Sequence, residues 1–235
     1  MHIRDNRVYQ FTEKLYPLIN DVDVFIGEME LENRGELHFS NQYDLKAHVS
    51  VSVYDKMQKQ FLKSFGVDLE RFRHYHPLMA LSAISQSLLA AEHQVSLDEH
   101  LWHYAKENGK LTIGLESYLE QSSLLHSIDP VPLYRQLLKI SRSPSSMSRQ
   151  THSALSAYMR SDIHQLYRLT KSSMHNLRKR IIYDRNHVMV ERILDFSTDQ
   201  KYFIVVGAGH LSGKFGLLAL LKKAGCKVRP IQLLE

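Results

Sequence analysis

Near the end of the chain, Gly207-Ala208-Gly209-His210 places a histidine directly after an apolar run, residues 203–206. The run is short and β-branched, as a strand buried on both faces would be. Residues 216–224 read as a leucine-rich helix that Gly225 ends at its C′ position, and 226–231 read as the next strand. In such a strand–loop–helix–strand unit, the loop at the carboxyl end of the first strand is where open α/β sheets bind ligands. Imidazole in that loop is a ready ligand for a divalent first-row metal. Gly207, Gly209 and Gly213 also spell a dinucleotide-type G-x-G-x-x-x-G. That chemistry expects an acidic residue about 20 positions on and further βα units. Lys227-Val228-Arg229 stand there instead, and the sequence ends at Glu235, so the nucleotide reading is set aside.

Other histidines pair by spacing alone. His100-x-x-His103 shares a helical face, and His74 and His76 flank a tyrosine before Pro77. Neither pair has a third ligand at evident spacing, and 14 histidines make chance pairs common. The single cysteine, Cys226, excludes an internal disulfide and any cysteine-cluster metal site, and reads as a buried structural thiol.

The elements around these residues form a mirrored pattern. His2 opens the chain, Val8, Phe11, Leu15 and Leu18 predict a helix over 8–18, and 22–26 read as an apolar strand ending at Gly27-Glu28. Between the two ends the sequence is mostly helical. Ser50 or Ser52 caps a helix over 53–65 closed by Gly66, although Val49, Val51 and Val53 alternate as a short strand would. Pro77 starts a helix to about 91, and Ser96-Leu97-Asp98-Glu99 resembles a capping box for a helix ending at Asn108-Gly109. Residues 111–115 form a short buried-type strand, and Pro130 and Pro132 open a helix to about 140. Residues 141–148 are the best linker candidate, and two long helices follow, over 149–170 and 174–196.

Composition bounds the class. The chain has 235 residues, 43% hydrophobic and 23% charged, which suits one globular domain with a real core. It carries no run of 18 apolar residues, so no transmembrane helix is expected. The net charge is +5, and residues 142–187 alone hold nine Arg or Lys against Asp162 and Asp184. These cations are not interleaved with aromatics, so a solvated helical face is expected and no nucleic-acid partner.

Five segments together resemble the TraB/GumN family, which includes the Tiki metalloproteases and shares its fold with erythromycin esterases and ChaN-like haem-binding proteins. The family carries two G-x-x-H motifs with a glutamate and an arginine between them. Gly207-Ala208-Gly209-His210 matches the second motif, and His2 stands where the first motif's histidine belongs. Glu28, in DVFIGEMEL, matches the glutamate. LTIGLESYLEQ resembles the family's internal G-L-E segment with its downstream glutamine, and Asp184-Arg185-Asn186 its arginine–asparagine pair. The first motif's glycine and preceding strand have no counterpart in the sequence, and the expectation is that they lie upstream of Met1.

The resemblance implies a divalent metal (Mn, Co or Zn) held by His2, His210 and Glu28, with Glu28 or Glu116 as general base and Arg185 at a developing oxyanion or a substrate carboxylate. Taken singly, Glu116 could cap the helix over 118–125, and Arg185 could sit on a basic face. The expected fold is α/β: a central sheet built from two pseudo-symmetric strand–loop–helix–strand end units plus 111–115. One domain spans 1–235, with a helical insertion at about 45–198. The expected function is a metal-dependent, peptidase-like hydrolase acting on a peptide or small molecule. The alternatives are an ester hydrolase, or a non-catalytic regulator that binds haem or a peptide signal. As written the chain reads as cytoplasmic, and as extracytoplasmic if an upstream signal peptide precedes it.

Overall fold

The computed structural model describes residues 3–32, 43–174 and 177–231. Its centre is a parallel sheet of order β2-β1-β3, formed by β1 (Val24–Met29), β2 (Leu111–Glu116) and β3 (Tyr202–Ile204). Val24 lies opposite both Leu111 and Tyr202, and Ile26 opposite Ile113 and Ile204.

The helices are α1 (Asn6–Tyr9), α2 (Thr12–Asn20), α3 (Val51–Phe65), α4 (Pro77–Ser87), α5 (Leu97–Glu107), α6 (Tyr118–His126), α7 (Val131–Arg142), α8 (Pro144–Met159), α9 (Ile163–Met174), α10 (Arg185–Leu194) and α11 (Leu217–Lys223). A π-type turn, Lys179–Asp184, runs straight into α10. Among the described residues no helix is long and apolar enough to cross a membrane.

Alternation along β1 explains the layering. Val24 and Ile26 face one way and pack with Leu115 on Met189 and Val190 of α10 and Leu217 of α11. Phe25 faces the other way, into Ile19 of α2 and Leu101, Trp102 and Ala105 of α5. A central strand covered on both faces must be apolar throughout, as 24–26 are. A separate helical core, including Met57, Phe61, Ile84, Leu133 and Leu137, joins α3, α4 and α7.

Several sequence expectations change. The helix expected over 8–18 is two: Asp5 caps α1 and α2 begins afresh at Thr12. Over 49–53 the helix prevails, because Ser50 Oγ accepts the Val53 N–H and starts α3 there. Residues 141–148 are no linker, since Ser143 alone separates α7 from α8. Ser96 precedes α5 without a side-chain bond to it, and the true capping box is Ser117 with Glu120 at α6. Ser161, at φ 55°, splits the helix expected over 149–170 into α8 and α9.

Among the described residues the C-terminal unit is strand, loop and helix. Residues 226–231 form no strand, so the expected pseudo-symmetric second strand is not there. The Cys226 N–H donates to the Leu221 carbonyl as α11 closes, and its thiol is half-buried rather than in the core.

Candidate active site at the strand ends

Each strand delivers one functional group at its carboxyl end. Glu28 is the penultimate residue of β1, Glu116 the last of β2, and His210 sits in a short 3-10 turn (Ala208–His210) after β3. Arg185, the first residue of α10, reaches all three. Its Nη2 donates to Glu28 Oε1 and to Glu116 Oε2, each at 2.6 Å. Its Nε donates to Glu116 Oε1 at 2.8 Å. Its Nη1 donates to the Ile181 carbonyl at 3.1 Å and faces His210 Nε2 at 3.3 Å. The Arg185 side chain is 13% exposed, and its planar cation with five donors is almost fully used up by partners of fixed geometry.

The two carboxylates are not equivalent. Glu116 is buried, chelates the guanidinium from two oxygens, and also accepts from Gln121 Nε2 at 3.1 Å. Glu28 keeps 26% of its side-chain surface. Its Oε2 accepts the Gly207 N–H at 2.7 Å, and its Oε1 lies 3.7 Å from His210 Nε2. Burial opposes ionisation of Glu28. The positive charge of His210 (when protonated) and of Arg185, with the Gly207 N–H, outweighs burial and holds its carboxyl at about 2. Glu28 is therefore an anion near neutrality, better suited to hold a cation than to carry a proton. Gly207 matters because a Cβ there would stand 3.1 Å from Glu28 Oε2.

His210 is oriented by a second residue of α10. Asn186, fully buried, donates from Nδ2 to the carbonyls of His210 (3.1 Å) and Phe215 (2.6 Å). That leaves its Oδ1 to accept from His210 Nδ1 at 2.5 Å. The proton thus belongs on Nδ1 and the lone pair on Nε2, aimed at Glu28 and Arg185. Burial lowers the His210 pKa, so the neutral, lone-pair-bearing ring is the form at pH 7. The loop is anchored from α9. Ser212 Oγ bonds His164 Nδ1 at 3.0 Å, and Gly213, at φ 95°, gives room to the Tyr167 ring.

Of the five residues singled out from sequence, the structure brings Glu28, Glu116, Arg185 and His210 together, and His2 lies outside the described residues. Neither bland alternative holds: Ser117 caps α6 in place of Glu116, and Arg185 is turned inward. Three partners were not assigned a role from sequence. Asn186 and Gln121 lay within quoted segments, beside Arg185 and five residues after Glu116. Arg192 follows Arg185 by seven positions, two helical turns, and binds both the Leu115 carbonyl and Glu120. That i, i+7 spacing was a readable signal. His100 binds the Tyr16 hydroxyl at 2.8 Å, and His76 caps α4, so one histidine of each pair has a structural partner.

The cluster offers a divalent metal one nitrogen and one oxygen donor. His210 Nε2 and Glu28 Oε1 suit one as a nitrogen and an oxygen donor, and the Nδ1–H bond to Asn186 is the outer contact that ligating histidines carry. Among the described residues no group of three or more His, Cys, Asp or Glu is placed to hold a metal.

The geometry is that of a parallel α/β domain with a histidine–glutamate–arginine cluster at its strand ends. The chain belongs to the TraB/PrgY/gumN family, whose profile matches residues 1–230. No curated protein and no solved structure matches it.

Proposed function

We propose that the protein is a metal-dependent hydrolase of peptide bonds, with His210, Glu28 and His2 as metal ligands. The observation that carries this reading is that Asn186 Oδ1 holds His210 Nδ1 at 2.5 Å, so that His210 Nε2 faces Glu28 Oε1 at 3.7 Å. A divalent ion would supply Lewis acidity toward a carbonyl oxygen and a lowered pKa for water. The chain's own groups do the rest. Gly207 N–H fixes one oxygen of Glu28 and leaves the other toward His210. Glu116 holds Arg185 through two oxygens, so the guanidinium is preorganised beside the reacting centre, where it stabilises negative charge on a carbonyl oxygen.

One observation favours a second reading. Arg185 already satisfies both carboxylates and contacts His210, which also suits a protein that binds a peptide signal or a cofactor such as haem without turnover. Metal analysis of untagged protein separates the two. Parent protein is expected to retain Mn, Co or Zn and to cleave an unstructured peptide panel, and His210→Ala to lose both. Equal metal in parent and His210→Ala would reject the metal site. Parent protein that cleaves nothing with each metal supplied would leave the binding reading.

A further inference from the structure

Beside the cluster lies an open cleft of about 350 Å³. One wall is α6 with Glu120, Gln121 and Leu124, and the other is the π-type turn and α10 with Arg180, Asp184 and Val188. Glu116 and Arg185 line it too, so a ligand in the cleft abuts the guanidinium that touches Glu28 and His210.

The charges along the cleft are not equally committed. Glu116 is chelated by Arg185. Glu120 is held by Arg192 and by Ser117. Asp184 accepts from Lys179 Nζ with both oxygens at 3.0 Å. Arg180 differs: its Nη1 donates to the backbone carbonyl of Ser127 at 2.5 Å, and among the described residues no carboxylate pairs with it. A guanidinium carries five N–H groups in a rigid fork, and a neutral carbonyl uses one of them. The fork is therefore fixed at one edge and open to an anion that accepts from two parallel N–H groups. The apolar lining is Leu124 and Val188, and Val188 is 38% exposed. Such a cleft selects an anion joined to an apolar group, rather than a fully hydrated one such as free phosphate.

We propose that Arg180 is a specificity-determining residue that receives the terminal carboxylate of a peptide whose last side chain is apolar and packs on Leu124 and Val188. The inference rests on the hydrolase reading only for the identity of the ligand as substrate, and binding tests it without turnover.

Two peptides of identical sequence ending in alanyl-leucine, one a free acid and one a carboxamide, are titrated calorimetrically into the full-length protein, its Arg180→Gln variant and its Arg180→Lys variant. A charge-assisted bond to a carboxylate predicts about tenfold tighter binding of the acid by the parent. Arg180→Gln should bind acid and amide alike, and Arg180→Lys should retain part of the preference. Circular dichroism checks that both variants stay folded, as substitution of an exposed side chain allows. Equal binding of acid and amide by the parent overturns the proposal, as does a preference that survives in Arg180→Gln. Inorganic phosphate at millimolar concentration should not displace the acid, and displacement would show an anion site without peptide selectivity. Preferential binding of the acid by a parent that hydrolyses nothing keeps this inference and removes the hydrolase reading.

Discussion

His210 Nδ1 lies 2.5 Å from Oδ1 of Asn186, the residue next to Arg185. One turn of α10 thus delivers the guanidinium and aims the imidazole that faces it. Asn186→Leu keeps the volume but removes the two N–H donors to the carbonyls of His210 and Phe215, and with them the Oδ1 that accepts from His210 Nδ1. Leaving the buried His210 carbonyl without its donor costs about 1–3 kcal/mol. Metal affinity is expected to fall by about 10- to 100-fold as the ring loses its fixed tautomer. Urea unfolding and a metal titration measure the two effects, and an unchanged affinity would show that Asn186 only packs.

Arg185→Met should destabilise the domain by about 3–5 kcal/mol, because Glu116 is buried and would be left without its cation. Adding Glu116→Gln to that variant should restore part of the loss. Arg185→Lys keeps the charge but cannot span both glutamates and the Ile181 carbonyl, and an intermediate loss is expected. Urea denaturation of these four proteins and of Glu116→Gln alone reads all of this. Additive losses in the double variant would contradict the bridge.

Gly207 and Gly225 should separate site geometry from backbone strain. Gly207, at φ −56°, can accept alanine, but the new methyl would press on Glu28 Oε2 at 3.1 Å. Gly225 has φ 93° and open space around it. Gly207→Ala is expected to change stability by less than about 1 kcal/mol and to weaken metal binding. Gly225→Ala should cost about 1–2 kcal/mol through its positive φ and leave metal binding alone.

His76 predicts a pH dependence. It is buried, its Nδ1 accepts the Leu78 N–H at the start of α4, and its Nε2 donates to the Ile128 carbonyl. Burial lowers its pKa, and the bond to Ile128 only partly offsets that. The unfolded chain therefore binds this proton more readily than the folded one. The contribution of His76 is fully present above its unfolded pKa of about 6.5 and is lost as pH falls through the lower folded value. His76→Asn keeps a cap but cannot titrate, so its stability deficit relative to the parent should shrink from pH 7.5 to pH 5. A constant deficit across that range would exclude the mechanism.

The three strands of the sheet were legible because their signals are local. Residues 24–26 and 203–206 are apolar runs ended by glycine, 111–115 is a largely apolar stretch ended by Glu116, and the family resemblance marked Glu28, Glu116, Arg185 and His210. What escaped depended on tertiary context. Ser161 at φ 55° ends α8 where glycine would ordinarily signal a stop. Residues 141–148 carry loop-like serines and a proline, yet Pro144 simply opens α8. Residues 226–231 alternate as a strand would, but pairing depends on a neighbour that composition does not reveal. The hydrogen bonds of Asn186 join residues 24 and 29 positions apart, beyond any window of periodicity.

The π-type turn Lys179–Asp184 immediately precedes Arg185. An α-helix rotates by about 100° per residue, so a wider turn sets the angular phase of everything after it. Deleting one residue there would swing Arg185 and Asn186 off the strand ends together, though neither had been altered. The site is thereby sensitive to the number of residues in this turn as well as to their kind. Chain length across 179–184 is a constraint on the site in its own right, and one that substitutions alone would not reveal.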